Sequence, residues 1–276
     1  CSTFIRVGGL IMTLPQDFIG RIIFIINNYG LSLLKGAGTT LAIALVGTII
    51  GCIIGFVVGI IQTIPIEKKD NFIKKFLIKF LKIIMNIYVE VFRGTPMMVQ
   101  AMFIYYGSSV VFGINMDMWF AAYFIVSINT GAYMAETVRG GILSIPDGQT
   151  EGAKAIGMNH FQTMLYIILP QALKNIMPQI GNNLIINIKD TCVLSVIGTV
   201  ELFFATKSVA GTYYTYFEAN TITMIMYLFM TVFFSKLLRI FEKKLNGPKD
   251  YSLSTTDTLA YTSGLLKYPD KKEAVK

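Results

Sequence analysis

The sequence predicts an all-α membrane protein with about five transmembrane helices. Three observations carry this expectation. Hydrophobic residues make up 54% of the 276 residues and charged residues only 14%, against roughly 25% charged in soluble domains. Several apolar runs exceed the roughly 20 residues that a spanning helix needs. The lysines also cluster, with six of them between Lys68 and Lys82. On a membrane protein such a cluster marks the cytoplasmic side. The net charge of +8 is therefore read through its placement. It does not indicate nucleic-acid binding, which needs a groove and aromatic platforms.

The elements follow in chain order. Residues 16–30, QDFIGRIIFIINNYG, hold a short apolar run interrupted by Arg21. The run is too short to span and predicts an interfacial helix. With the residues before it, it forms an N-terminal extension over 1–30, and a transmembrane domain is expected over 31–246. The first span covers about 36–64. Within it Gly47, Gly51, Gly55 and Gly59 recur four apart, so a helix lines them up on one face. In lipid such a face lets a second helix approach closely, which predicts a helix-packing seam.

Residues 67–82, EKKDNFIKKFLIKFLK, set Phe72, Ile73, Phe76, Leu77, Phe80 and Leu81 opposite the lysines. This 3.6-residue period predicts an amphipathic helix on the inner leaflet that turns into a second span at about 83–111. A third span follows at about 118–140, a fourth from Pro178 to about Val200, and a fifth at about 219–241. The tail from 247 to 276 is polar and lacks a core-forming pattern, so disorder is expected there. Between spans two and three, residues 107–117 carry no lysine or arginine, and residues 201–218 carry only Lys207. The end of span five, SKLLRIFEKKLNGPK, is strongly basic. Five spans and these loops agree on one arrangement, with the amino terminus outside and the carboxyl terminus in the cytoplasm.

Polar residues inside spans are costly and therefore point to function. In NIYVEVFRGTPMMVQ, Asn86, Glu90, Arg93 and Gln100 share a helical face. Gly94, Thr95 and Pro96 then interrupt the helix, because proline removes a backbone donor and restricts the residue before it. A broken helix at membrane depth is tolerated where it lines a cavity. Glu90, Arg93, Thr95, Pro96 and Gln100 are thus substrate-pathway residues by this reading; the bland alternative is that Glu90 and Arg93 neutralise each other as an i,i+3 pair. On the fourth span, Asn183, Asn187 and Asp190 share a face, and Asn187 and Asp190 join the pathway set. Asp190 could equally meet a lysine from another helix. Span three holds Asn129, and Glu136 with Arg139 near its inner end is expected to be a structural pair.

The polar stretch TEGAKAIGMNHFQTMLYIILP, Thr150 to Pro170, lies on the cytoplasmic side by this topology. Its first half is rich in small residues and predicts a short docking helix, with Thr150 as N-cap and Gly157 as terminator. Phe161, Met164, Leu165 and Ile168 then form an amphipathic stripe that can lie under the bundle. His160, the one histidine, reads as a surface residue. No phosphate-binding glycine loop, nucleophile elbow or zinc-binding histidine pair occurs, so enzymatic chemistry has little support. Cys52 and Cys192 read as small packing residues, and no cysteine spacing suggests a disulfide framework or a metal site. Cys1 is expected to reflect where the start of the chain was defined, with Met12 as a plausible alternative start.

The segment EGAKAIGMNHFQTMLYIILP resembles the EAA loop of ABC importer permeases: Glu-Ala-Ala, three residues, Gly, then about nine residues to Ile-x-Leu-Pro. Glu151, Ala153, Gly157 and Ile168-Leu169-Pro170 match. Gly152 departs from the middle of the motif but stays small. The segments EVFRGTPMMVQ, NTGAYMAETVRGGILSIPDGQ and KDTCVLSVIG are similar to those of the polar amino acid subfamily, which takes up histidine, glutamate, glutamine, arginine and opines. The resemblance covers about residues 30–245. It implies a type I ABC importer permease fold, with Glu151, Gly152, Ala153, Ala155 and Gly157 as ATPase-coupling residues. It further implies partners: two ABC ATPase subunits, a second permease copy or homologue, and an extracytoplasmic amino-acid-binding protein. ATP and magnesium would be used by the ATPase subunits, with no cofactor bound by this chain. The competing expectation is a secondary amino acid transporter driven by an ion gradient, supported by Asp190. Against it stand the five spans and the lack of a visible inverted repeat. A membrane scaffold without transport is the third, and it would not need the break at Gly94–Pro96.

Overall fold

The computed structural model describes residues 3–7, 10–66 and 71–246. The expectations for Cys1, for Lys68 and Lys69, and for the tail from 247 lie outside the described residues. A two-stranded antiparallel hairpin, β1 (Thr3–Val7) and β2 (Leu10–Leu14), precedes the helices. Nine α-helices follow among the described residues. They are α1 (Phe18–Thr63), α2 (Phe72–Gly94), α3 (Met97–Phe112), α4 (Met118–Leu143), α5 (Asp147–Ala155), α6 (His160–Thr163), α7 (Leu169–Asp190), α8 (Leu202–Tyr213) and α9 (Tyr216–Asn246).

The first correction concerns α1. The sequence suggested an interfacial helix over 16–30 and a separate span, but one helix of 46 residues runs through both. At 1.5 Å per residue it is about 69 Å long, more than twice the roughly 30 Å of a bilayer core. Asp17 caps its start by accepting from the Gly20 amide. Arg21, which seemed to interrupt the apolar run, donates to Glu218 on α9 at 2.9 Å and to the carbonyl of Pro15 at 3.0 Å. A charge neutralised in this way does not end a helix.

The glycine face of α1 packs against α4. A Cβ at Gly47 would meet Val126, at Gly51 Thr130, at Gly55 Met134 and at Gly59 Val138, all inside 3 Å. Each contact is one helical turn below the last on both helices. The helices therefore lie side by side with their backbones close, and Ala122, Ile125, Val126, Met134 and Val138 are fully buried there. Thr48 of α1, Thr130 of α4 and Asn187 of α7 close a polar knot within this apolar contact. The Asn187 amide donates to Thr48 Oγ1 at 2.7 Å and to Thr130 Oγ1 at 2.9 Å. A buried amide is costly unless paired, and this one is paired on both sides.

Two helices, Phe18–Thr63 and Tyr216–Phe241, are long and apolar enough to cross a membrane unaided. The other spans are broken or polar. α2 and α3 are divided at Gly94–Pro96. α7 passes into a 3-10 turn (Thr191–Ile197), and the whole segment from His160 to Ile197 bends by 54° into α8. α8 occupies a stretch read from sequence as a loop, 201–218. Glu201 caps it, accepting from the amides of Phe203 and Phe204 at 2.7 Å each. The Glu201 carboxylate is fully buried and also accepts from Tyr227 on α9 at 3.1 Å. α8 is thereby held against α9 and, through Thr40, against α1.

α2 carries its apolar stripe away from the bundle. Phe72, Ile73, Phe76, Leu77 and Phe80 are all exposed, and the buried residues of the helix are Ile78 and Val89 on the lysine-bearing side. Phe76 and Phe80 stack one turn apart, ring centroids 6.3 Å from each other. An exposed stripe of this kind suits a lipid environment.

Candidate functional site

α5 is the first of two regions with functional geometry. It begins at Asp147, after Pro146 as N-cap, and not at Thr150 as the sequence suggested. Proline supplies a fixed φ at a position where no helical donor is needed. Asp147 in the first turn and Lys154 in the last complement the helix dipole. The end is built on Gly157, whose φ is +83°. Its amide donates to the Lys154 carbonyl and the Met158 amide to the Ala153 carbonyl, each at 3.0 Å. That pair of bonds is a Schellman ending, which favours glycine because its left-handed residue needs no Cβ clearance.

α5 turns one residue inward. Ala153 is 2% exposed, whereas Glu151, Gly152, Ala155 and Gly157 all lie on the surface. A Cβ at Gly148, Gly152 or Gly157 would meet nothing within 4 Å. Ile156 is 76% exposed beside them. The result is a bare, nearly flat surface with an apolar residue at its edge. Such a surface permits a second protein to approach the helix backbone.

The segment after α5 links this surface to the bundle. Asn159 and Gln162 form a reciprocal capping box at 2.9 and 3.0 Å. The expected stripe of Phe161, Met164, Leu165 and Ile168 is split. Met164 and Ile168 are buried, but Phe161 is 72% exposed and Leu165 also faces outward. The cause is a π turn over Met164–Ile168, whose wider pitch rotates the face. The buried stripe is instead Met164, Ile168, Ala172 and Ile176, packed on Met134, Val138 and Ile142 of α4. Gln171 reaches Gln149 at 3.3 Å, and Asn175 reaches Ser144 at 3.1 Å. Displacement of α5 is therefore transmitted to α7 and α4 together.

The second region is the break between α2 and α3. Thr95 and Pro96 are extended. Gly94, Thr95 and Pro96 are exposed, with Glu90 and Arg93 on the same open side. Gln100 is not among them. It is buried, and its amide donates to the carbonyls of Phe92 and Thr95 and to the Thr95 hydroxyl, at 2.8 to 2.9 Å. Asn129 of α4 donates to the Gln100 carbonyl oxygen at 2.9 Å. The two amides satisfy the carbonyls that the break releases and staple it to α4. Arg93 pairs with Glu136 at 3.3 Å, not with Glu90, and stacks over Tyr133 at 5.7 Å. Arg139 completes the group through the same Glu136. Asn187 is taken up by the threonine knot, and Asp190 is exposed on α7 without a printed bond to α2. The pathway set thus divides. Glu90, Arg93, Thr95 and Pro96 share one open face, while Gln100 and Asn187 are engaged inside.

Comparison with known proteins now decides the family. Residues 76–247 match the family of binding-protein-dependent transport system inner membrane components. The chain belongs to this family. As such it is an inner-membrane transport component. A glutamine transport system permease protein of Escherichia coli K12 is 38% identical over 160 residues, which is 58% of this chain and 73% of the relative. A crystal structure of an amino acid ABC transporter with histidines superposes with a TM-score of 0.71 at 34% identity, covering 83% of this chain and 99% of that one. An inward-facing methionine ABC transporter, MetNI, gives a TM-score of 0.66 at 20% identity over 79% of this chain and 97% of that one, and shares the fold. The fold is that of ABC importer permeases.

Sequence reasoning missed Glu201 as the cap of α8, although an acidic residue directly before an apolar run is a helix-start signal. It noted Asn129 but not its partner. Thr48 and Thr130 gave no signal, because a lone threonine in an apolar run is unremarkable until its partner is known.

Proposed function

We propose that the chain is the membrane-spanning subunit of an ATP-driven importer of polar amino acids. Two ABC ATPase subunits dock on the surface around Glu151–Gly157, using ATP and magnesium that this chain itself does not bind. A second permease copy or homologue completes the pathway, and an extracytoplasmic binding protein delivers substrate. The lysine-rich stretch before α2 and the basic end of α9 place α5 in the cytoplasm and the amino terminus outside.

The observation that carries this reading is the bare α5 surface joined to α4 and α7 by one buried stripe. A nucleotide-dependent movement of a docked partner reaches the spans through Met164, Ile168 and Ala172. Such coupling shifts the spans only if nucleotide favours one arrangement over the other. Glu90, Arg93, Thr95 and Pro96 line the pathway at the break, and Asp190 faces it from α7. Gln100 and Asn187 act indirectly in this scheme, by fixing the helices that carry the others.

Reconstituted uptake tests the proposal. Labelled amino acid should enter proteoliposomes only when permease, ATPase, binding protein and ATP are all present. Accumulation driven by an ion gradient without the ATPase would overturn it in favour of a secondary transporter. Full uptake by a Thr95→Trp variant would remove the break from the pathway.

A further inference from the structure

A cavity of about 520 Å³ opens beside the α2–α3 break, between α1, α2 and α4. Its volume lies within the roughly 300–1,000 Å³ of small-molecule pockets. Its charged walls are Lys82, Glu90, Arg93, Glu136 and Arg139. Asn86 and Gln62 close one side and bond to each other at 2.9 Å. Glu136 is engaged by both arginines. Among the described residues, no hydrogen bond or ion pair is recorded for Lys82 or Glu90. The cavity therefore offers one uncommitted cation and one uncommitted carboxylate, two turns apart on the same helix. Charged residues at this depth are costly unless they face water or a ligand.

We propose that this cavity holds an amino acid zwitterion on its way out to the cytoplasm. Glu90 receives the α-ammonium group, and Lys82, backed by Arg93 and Arg139, receives the α-carboxylate. The arginines stay on Glu136 and keep the wall rigid, so the site binds weakly and releases readily. The side chain of the amino acid projects into the remaining volume without a dedicated partner, which makes this a site for the common backbone of amino acids. The inference rests on the reading of the chain as an amino acid permease.

Site-directed labelling of the assembled complex tests it. An Asn86→Cys reporter, in a chain with Cys52 and Cys192 replaced by alanine, is labelled from the cytoplasmic side by a charged methanethiosulfonate. l-Glutamine serves as the probe. It should slow the labelling, and 4-aminobutanamide or glutaramic acid, which lack the carboxylate or the ammonium, should protect at least about tenfold less well. Glu90→Gln and Lys82→Met, each added to the reporter, should weaken protection by a similar factor. Labelling that l-glutamine does not slow, in a complex that still takes up l-glutamine, would overturn the cavity assignment alone. Equal protection by both analogues would overturn it as well. A complex that takes up no amino acid would instead sink the transport reading.

Discussion

The face of α1 and the surface of α5 are both built from small residues, yet they do opposite things. On α1, the glycines at 47, 51, 55 and 59 stand directly against α4, and any added methyl group would collide with it. On α5, the glycines at 148, 152 and 157 face open space. The first set lets two helices of one chain close into a dry seam. The second leaves a helix backbone uncovered. Residue type alone does not separate these uses; what stands opposite does.

Substitutions ranked by their effect on the fold can break or sharpen this contrast. Gly55→Leu should be the most damaging. Its Cβ would fall 2.3 Å from the Met134 Cβ and 2.9 Å from the Ala135 amide nitrogen, and backbone does not yield. Overpacking costs typically about 1–3 kcal/mol and more where nothing can shift. The expected result is loss of monodisperse protein in detergent, and normal recovery would break the seam account. Asn187→Leu comes next. It strands the hydroxyls of Thr48 and Thr130 and should cost roughly 1–3 kcal/mol, read as a lower midpoint of thermal unfolding. The corresponding measurement on the partner side should stay flat: affinity for the ATPase should not change.

Gly157→Asp should cost less in stability, on the order of 1 kcal/mol for a non-glycine residue in the left-handed region. Membrane insertion should survive while ATP-driven uptake is lost. Gly157→Asn sharpens the point, because asparagine tolerates that region best among the alternatives and should retain more uptake. If Gly157→Asp keeps both uptake and ATPase association, the coupling role assigned to this ending is wrong. Gly152→Leu should have the smallest effect on the fold, within about 0.5 kcal/mol as for other surface changes, since its side chain enters open space.

The two regions also differed in how legible they were. The glycine period of α1 is a local pattern, and α4 meets it with Val126, Thr130, Met134 and Val138 at the same spacing. The coupling segment was legible from its small residues and its Gly157 ending. Its details were not. The π turn at Met164–Ile168 exchanged Phe161 and Leu165 for Ala172 and Ile176 on the buried face, and no local signal marks that turn. The failures elsewhere were non-local. Arg21 looked like the end of an apolar run because its partner, Glu218, lies 197 residues away. Arg93 was paired in the reading with its neighbour Glu90, while the fold pairs it with Glu136. Gln100 and Asn187 looked like pathway residues because a polar residue in a span is ordinarily functional. Here each satisfies other buried groups: Gln100 the broken helix, and Asn187 the threonines of two other helices.

The central claim is that the bare surface of α5 receives a separate ATPase. The most direct test is the affinity of the cognate ATPase for permease in nanodiscs, compared between the unaltered chain and Gly152→Trp. A bulky ring placed on that open surface should weaken ATPase binding at least about tenfold, a difference of roughly 1.4 kcal/mol, while the thermal midpoint of the permease stays unchanged. Unchanged affinity together with full ATP-driven uptake would contradict the account.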